Sequence, residues 1–306
     1  MIYSAWENTA LHSESRDQSA TTDISQMVFN ADWTVTEALS VSGLLGYMKS
    51  EYESNSAKVY LESFADMTID YREDRFYGTN SYVNGFDPTD IDEYRFHEID
   101  LAEDKVDNSF AIAKLDSDYL LSDTSTLKFG VSIKDFEHSN NSEQIGNALR
   151  SEWQSGEISD VINPDLVYVN NVHEKQSWLS TDVTGVLTTF NVDRNLSYSD
   201  QPDEVTEQTT ALYITYEKDF LLENSEVRTS FGLRYFDTDI ESSGLVNGTE
   251  YVTVERQYDD ILPTFNLAWY ATEKLVLRAS AGKNVTRPTL GSLSVSGTVN
   301  TDPLFG

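Results

Sequence analysis

The residues that could do chemistry in this chain are few and scattered. The four histidines, His12, His97, His138 and His173, are far apart in sequence, and none has a second histidine three or four residues away. No local zinc-type pair is therefore expected. There is no Gly-x-Ser-x-Gly elbow and no glycine-rich phosphate loop with a lysine. Cysteine is absent, which excludes disulfides and thiolate metal sites. The run Asp87-Pro88-Thr89-Asp90-Ile91-Asp92-Glu93 concentrates carboxylates that could ligate Ca²⁺. It lacks the glycine and terminal glutamate of an EF-hand loop, so a polar turn is the simpler account. No catalytic residue, cofactor or metal site is expected, and the chain is not read as an enzyme. What remains is a set of aromatic residues in long polar stretches: Tyr71, Tyr77, Tyr82 and Tyr94 in one, Trp153 and Tyr168 in another. Their rings could stack on sugars or on aromatic groups of a ligand. For any single one of them, packing of the loops on each other is the more economical role.

The elements that must position these residues read as strands. From Ile261 the odd positions run Ile261, Pro263, Phe265, Leu267, Trp269, against Thr264, Asn266, Ala268 and Tyr270. After Ala271-Thr272-Glu273-Lys274, Leu275, Leu277, Ala279 and Ala281 alternate with Arg278, Ser280, Gly282 and Asn284. Strict period two gives a strand with one apolar and one polar face, and about ten residues suffice for a tilted strand to cross a bilayer. The same pattern predicts strands near 23–35, 39–52, 106–120, 127–134, 205–220 and 227–235. In the fourth, Leu127, Phe129, Val131 and Ile133 oppose Lys128, Gly130, Ser132 and Lys134.

These strands form four hairpins with links of about three to five residues. Between hairpins lie long connections, at about 53–105 and 138–204, and a shorter one near 241–248. Residues 1–20 are polar and unpatterned, and they lack the apolar core of a signal peptide. Short turns at one end and long loops at the other are the asymmetry of an outer-membrane barrel. A β-sandwich would have short turns at both ends. The 306 residues carry a net charge of −31, which argues against nucleic acid as a partner. Residues 51–105 hold 15 acidic and 5 basic side chains, and residues 139–207 hold 12 and 3. The acid therefore sits in the long connections, as a solvated, self-repelling surface or as a cation-binding or halophilic one.

The stretch YDDILPTFNLAWYATEKLVLRASAGKNVTRP resembles the recurring strand–turn–strand segment of TonB-dependent outer-membrane receptors. The residues that match are Asp260, Ile261, Leu262, Pro263, Asn266, Leu267, Leu277, Arg278, Lys283, Thr286, Arg287 and Pro288. ALYITYEKDF with VRTSFGLRYFDTD, and AKLDSDYLLSDTSTLKFGVSIKDF, resemble earlier hairpins of the same family. The resemblance implies an all-β, antiparallel up-and-down transmembrane barrel, of which this chain supplies about eight of about 22 strands. Residues 1–306 would then be a partial barrel domain, without plug or C-terminal strands. A slice of this kind would have two unpaired edges and would not insert alone as a stable monomer. The resemblance further implies a bacterial outer-membrane location, contact with outer-membrane lipid, and a TonB-type energy-coupling partner reached through the plug. The cargo would be a scarce nutrient: siderophore-bound iron, an oligosaccharide or cobalamin. Arg228, Arg234 and Arg278 would face the lumen and pair with plug or lumen acids. The alternatives are a passive porin or adhesion barrel, and a soluble β-sandwich that binds glycans, in which Leu127, Phe129, Val131 and Ile133 would pack on a second sheet.

Overall fold

In a computed structural model, the structure describes residues 3–72, 76, 78–83, 85–146, 163–173, 176–198, 201–223 and 225–297. Eleven strands form: β1 (Tyr3–Thr34), β2 (Leu39–Asp70), β3 (Thr79–Tyr82), β4 (Arg95–Ser122), β5 (Ser125–Ile145), β6 (Val167–His173), β7 (Gln176–Thr181), β8 (Asp203–Leu222), β9 (Ser225–Val246), β10 (Glu250–Thr272) and β11 (Leu275–Gly282). One sheet runs β1-β2-β4-β5-β8-β9-β10-β11, with β3 on β2, and β6 pairs with β7 in a second. Sequence neighbours lie side by side throughout the large sheet. The pairings β5–β8, β8–β9, β9–β10 and β10–β11 are all antiparallel. This is the up-and-down order of a barrel wall. Among the described residues the path does not close on itself.

The chain divides into two compact units. The first comprises 1–21, 53–104 and 142–199, and the second 22–52, 105–141 and 200–306.

In the second unit, the alternation read from the sequence becomes rows across the sheet. Val131 faces Leu212, Leu212 faces Tyr235, and Tyr235 faces Ile261. The next row is Phe129, Ile214, Leu233 and Pro263, followed by Leu127, Tyr216, Phe231 and Phe265. Leu212, Ile214, Phe231 and Ile261 are about half exposed, at 56%, 46%, 56% and 50%. An apolar face left this open is not the inner face of a sandwich, whose side chains would interdigitate with a second sheet. The intervening rows are polar or small apart from Leu262: Lys128, Thr215, Gly232 and Thr264, then Gly130, Tyr213, Arg234 and Leu262. Exposed Trp33, Tyr119, Phe220 and Trp269 lie within three residues of the turn ends of β1, β4, β8 and β10, which is where an interfacial girdle would sit.

The strands are longer than the apolar alternation predicts. β1 begins at Tyr3, in the segment read as unpatterned, and β2 runs on to Asp70, inside the first expected loop. In β1 the ladder continues where the hydropathy signal stops, since outside an apolar solvent neither face must be greasy. In β2 the extension carries a buried apolar row of its own, Ala57, Val59 and Leu61. The expected connection at 241–248 is also a ladder, with Glu241 opposite Glu255. The link is confined to Asn247, Gly248 and Thr249. Asn247 and Gly248 are at positive φ (52° and 66°), and Thr249 N donates to Val246 O at 3.2 Å, closing a tight turn of the kind Asn-Gly favours.

The first unit owes its core to the expected loops. Ala57, Val59 and Leu61 of β2, Tyr94 ahead of β4, and Phe96, Ile99 and Leu101 within it pack with Leu179 of β7. A helix that the loop reading missed, α1 (Val183–Phe190), adds Val183, Val186 and Leu187 to the cluster. Its apolar positions, with Phe190, follow i, i+3, i+4, i+7. Asp182 accepts from Gly185 N at 3.1 Å as N-cap, and Asn191 in the left-handed region closes the C-terminus.

Candidate functional site

The polar face of the second unit is built from the motif residues. Asp260 on β10 pairs with Lys283 just past β11 at 2.6 Å, and Lys283 N donates to Pro263 O at 3.0 Å. Four residues on, Arg287 donates to Glu207 and Thr209 of β8 and to Thr238 of β9, the two threonines at 3.0 and 2.9 Å. Its guanidinium lies over Phe236 and Tyr258, at 5.2 and 5.7 Å. The Lys-x-x-Thr-Arg-Pro run therefore folds back over the sheet and is held by three strands. Ser242 Oγ donating to Leu293 O at 2.9 Å continues that cover.

Towards the turn end of β10, a groove of about 540 Å³ opens on the same unit, lined by Glu217, Asp219, Arg228, Asn266, Arg278 and Ser280, among others. Its register explains it. Asp219, Arg228, Ala268 and Arg278 form one row, with the small Ala268 between two arginines. Arg228 Nε donates to Glu226 at 2.6 Å and its guanidinium lies 5.2 Å over Tyr270. Arg234 lies over Tyr213 at 5.7 Å, and Tyr213 donates to Asp116. Two of the three arginines thus have partners on this sheet, and Arg278 lines the groove on β11, at the opposite end of the row from Asp219.

In the first unit, the six aromatic candidates separate. Tyr77 and Trp153 lie outside the described residues. Tyr94 is 4% exposed and its hydroxyl donates to Pro88 O at 3.3 Å. Tyr82, Phe86 and Tyr94 form a ladder with ring centroids 5.0 and 5.9 Å apart. Burial raises the phenol pKa of both tyrosines, so the ladder packs the loop. Tyr71 (38% exposed) and Tyr168 (54%) remain open. The Asp87–Glu93 run is occupied locally: Asp87 accepts from Thr89 N and Oγ1 at 2.8 and 2.7 Å, and Asp90 accepts from Asp92 N. Those bonds from Thr89 hold the Asp87 carboxyl below its ordinary value.

The loop-side unit also gathers a cluster that no local motif announces. His12 of β1, Glu62 of β2 and His97 of β4 converge, with ligand-capable atoms all within 4.8 Å. His12 Nε2 is 3.1 Å from Glu62 Oε1, and His97 Nδ1 is 3.6 Å from Oε2. Arg95 also donates to Oε2, with Nε at 2.7 Å. Burial alone would raise the Glu62 pKa; the bonds from His12 and Arg95 and the field of His97 outweigh it and lower it. Phe96 and Ile99 both enter the core, so the strand's alternation shifts phase between them, where His97 and Glu98 sit. The sequence kept these histidines apart because their proximity is a matter of strand register, over separations of 50 and 35 residues.

A family model described as TonB dependent receptor-like, beta-barrel, matches residues 11–305. With the up-and-down sheet, the outward apolar rows and the match over nearly its whole length, the chain belongs to the TonB-dependent receptor β-barrel family. It is an outer-membrane receptor and transporter family, not a family of enzymes. No curated protein and no solved structure matches the chain.

Proposed function

We propose that this chain forms part of the wall of a TonB-dependent transporter in the bacterial outer membrane, completed by a plug and further strands. The observation that carries the reading is the set of register-aligned rows in the second unit, apolar on one face and polar on the other. The apolar rows suit lipid. The polar face, with its Asp219–Arg228–Ala268–Arg278 groove, suits a plug domain through which a TonB-type protein delivers energy. The edges of β1 and β11, unpaired among the described residues, are what further barrel strands would cover. The cargo class is a scarce nutrient such as siderophore-bound iron, an oligosaccharide or cobalamin. Tyr71 and Tyr168 offer open rings for it, Tyr77 and Trp153 stay candidates from the sequence, and Tyr82 and Tyr94 pack the first connection.

The test is uptake and surface binding by cells expressing the complete gene product, over those three nutrient classes. Saturable uptake of one class is expected, abolished by removing the energy-coupling protein while surface binding persists. Tyr168→Ala should weaken that binding about five- to tenfold, the scale of one lost aromatic stack. Uptake that is non-saturable and independent of the coupling protein would make the barrel a passive porin instead.

A further inference from the structure

We propose that the loop-side unit contains a transition-metal site of the Zn²⁺ class, with His12, Glu62 and His97 as its protein ligands. The three come from strands that are consecutive neighbours in the sheet, β1, β2 and β4. A tetrahedral Zn²⁺ with imidazole nitrogens and a carboxylate oxygen at about 2.0–2.2 Å has its ligand atoms about 3.3–3.5 Å apart. His12 Nε2 lies 3.1 Å from Glu62 Oε1, close to that spacing, and His97 Nδ1 lies 3.6 Å from the other oxygen of the same carboxylate, Oε2. The widest separation in the set, at most 4.8 Å, closes with small side-chain rotations.

Further observations point the same way. The far nitrogen of His97, Nε2, lies 3.7 Å from Glu98 Oε1. A carboxylate behind the ring is the usual outer partner of a metal-bound histidine, fixing its tautomer and raising its basicity. The other oxygen, Glu98 Oε2, is buried with no hydrogen-bond partner, an expense that a carboxylate serving only to decorate the strand would not carry. The phase shift between Phe96 and Ile99 is the local irregularity that turns a side chain towards a site. Arg95, bonded to Glu62 Oε2, fixes the carboxylate and leaves Oε1 turned to His12. His12 is 43% exposed in its side chain, so the fourth coordination position opens to solvent and can accept water or a donor atom of a ligand.

The test uses the complete gene product in detergent, titrated with Zn²⁺ by calorimetry and with Co²⁺ by visible absorption. One ion should bind per chain with a dissociation constant in the micromolar range or tighter, and Co²⁺ should show the intense bands of a four-coordinate centre. His12→Ala, at a half-exposed position, should weaken binding at least about tenfold with circular dichroism unchanged, and Glu62→Gln should do the same. His138→Ala, whose native ring bonds Asn108 instead at 2.8 Å, should leave it intact. Absence of binding, or binding that survives both His12→Ala and Glu62→Gln, would overturn the proposal.

Discussion

At the scale of single residues, the motif that marks the family works as an anchor. Arg287 reaches two strands with three hydrogen bonds and lies over two aromatic rings, while Glu207, its acidic partner, is largely buried. Charge-assisted bonds of this kind contribute about 1.5–3 kcal/mol when buried and less when, as here, the guanidinium keeps some contact with water. Arg287→Ala should therefore cost about 2 kcal/mol and free the segment from 283 to 297 for protease cleavage, read as a lower urea midpoint and a new early cut. Arg287→Lys should recover little, because a single ammonium cannot serve Glu207, Thr209 and Thr238 together. An unchanged midpoint in Arg287→Ala would show that the segment holds itself down. Legibility at this scale was uneven. Asp260, Lys283 and Arg287 stand out as a local motif. His12, Glu62 and His97 do not, because only strand pairing brings them together.

At the scale of elements, what could be read in the sequence follows the solvent around each strand. Where one face must be apolar and the other polar, as in Leu127–Lys134 or Phe265–Tyr270, period two marks both the strand and its faces. Tyr3–Thr21 of β1 is strand with no apolar alternation to betray it. Glu53–Asp70 of β2 does alternate, with Ala57, Val59, Leu61, Ala65 and Met67 buried, but among enough charged residues to resemble a polar loop. Helix α1 was hidden for a similar reason. Its Val183, Val186, Leu187 and Phe190 keep helical spacing, but two turns inside a long acidic stretch are a weak signal. The Asn247-Gly248 pair is itself a legible turn signal, masked by the Ser242-Ser243-Gly244 run upstream, which has loop composition but pairs as strand. It now carries its own prediction. Gly248→Val puts a β-branched residue at φ of +66°, which costs about 1–2 kcal/mol. Hydrogen exchange at Leu245 and Tyr251, paired across the hairpin, should speed up about tenfold. Unchanged protection would mean that the ladder, not the turn, sets the hairpin's stability.

At the scale of the whole molecule, the account rests on the apolar rows of the second unit meeting lipid. The chain contributes no cysteine of its own, so single cysteines can be introduced along β8 of the complete gene product, with any cysteine elsewhere in it replaced by serine, and spin-labelled in outer-membrane vesicles. Labels at 212, 214 and 216 should be reached by lipid-soluble oxygen and shielded from a water-soluble relaxation agent. Labels at 211, 213 and 215 should show the reverse, or no access at all under a plug. A period of two in this pattern is the predicted result. Equal access of the water-soluble agent to all six positions would contradict a membrane-crossing wall, and with it the transporter reading.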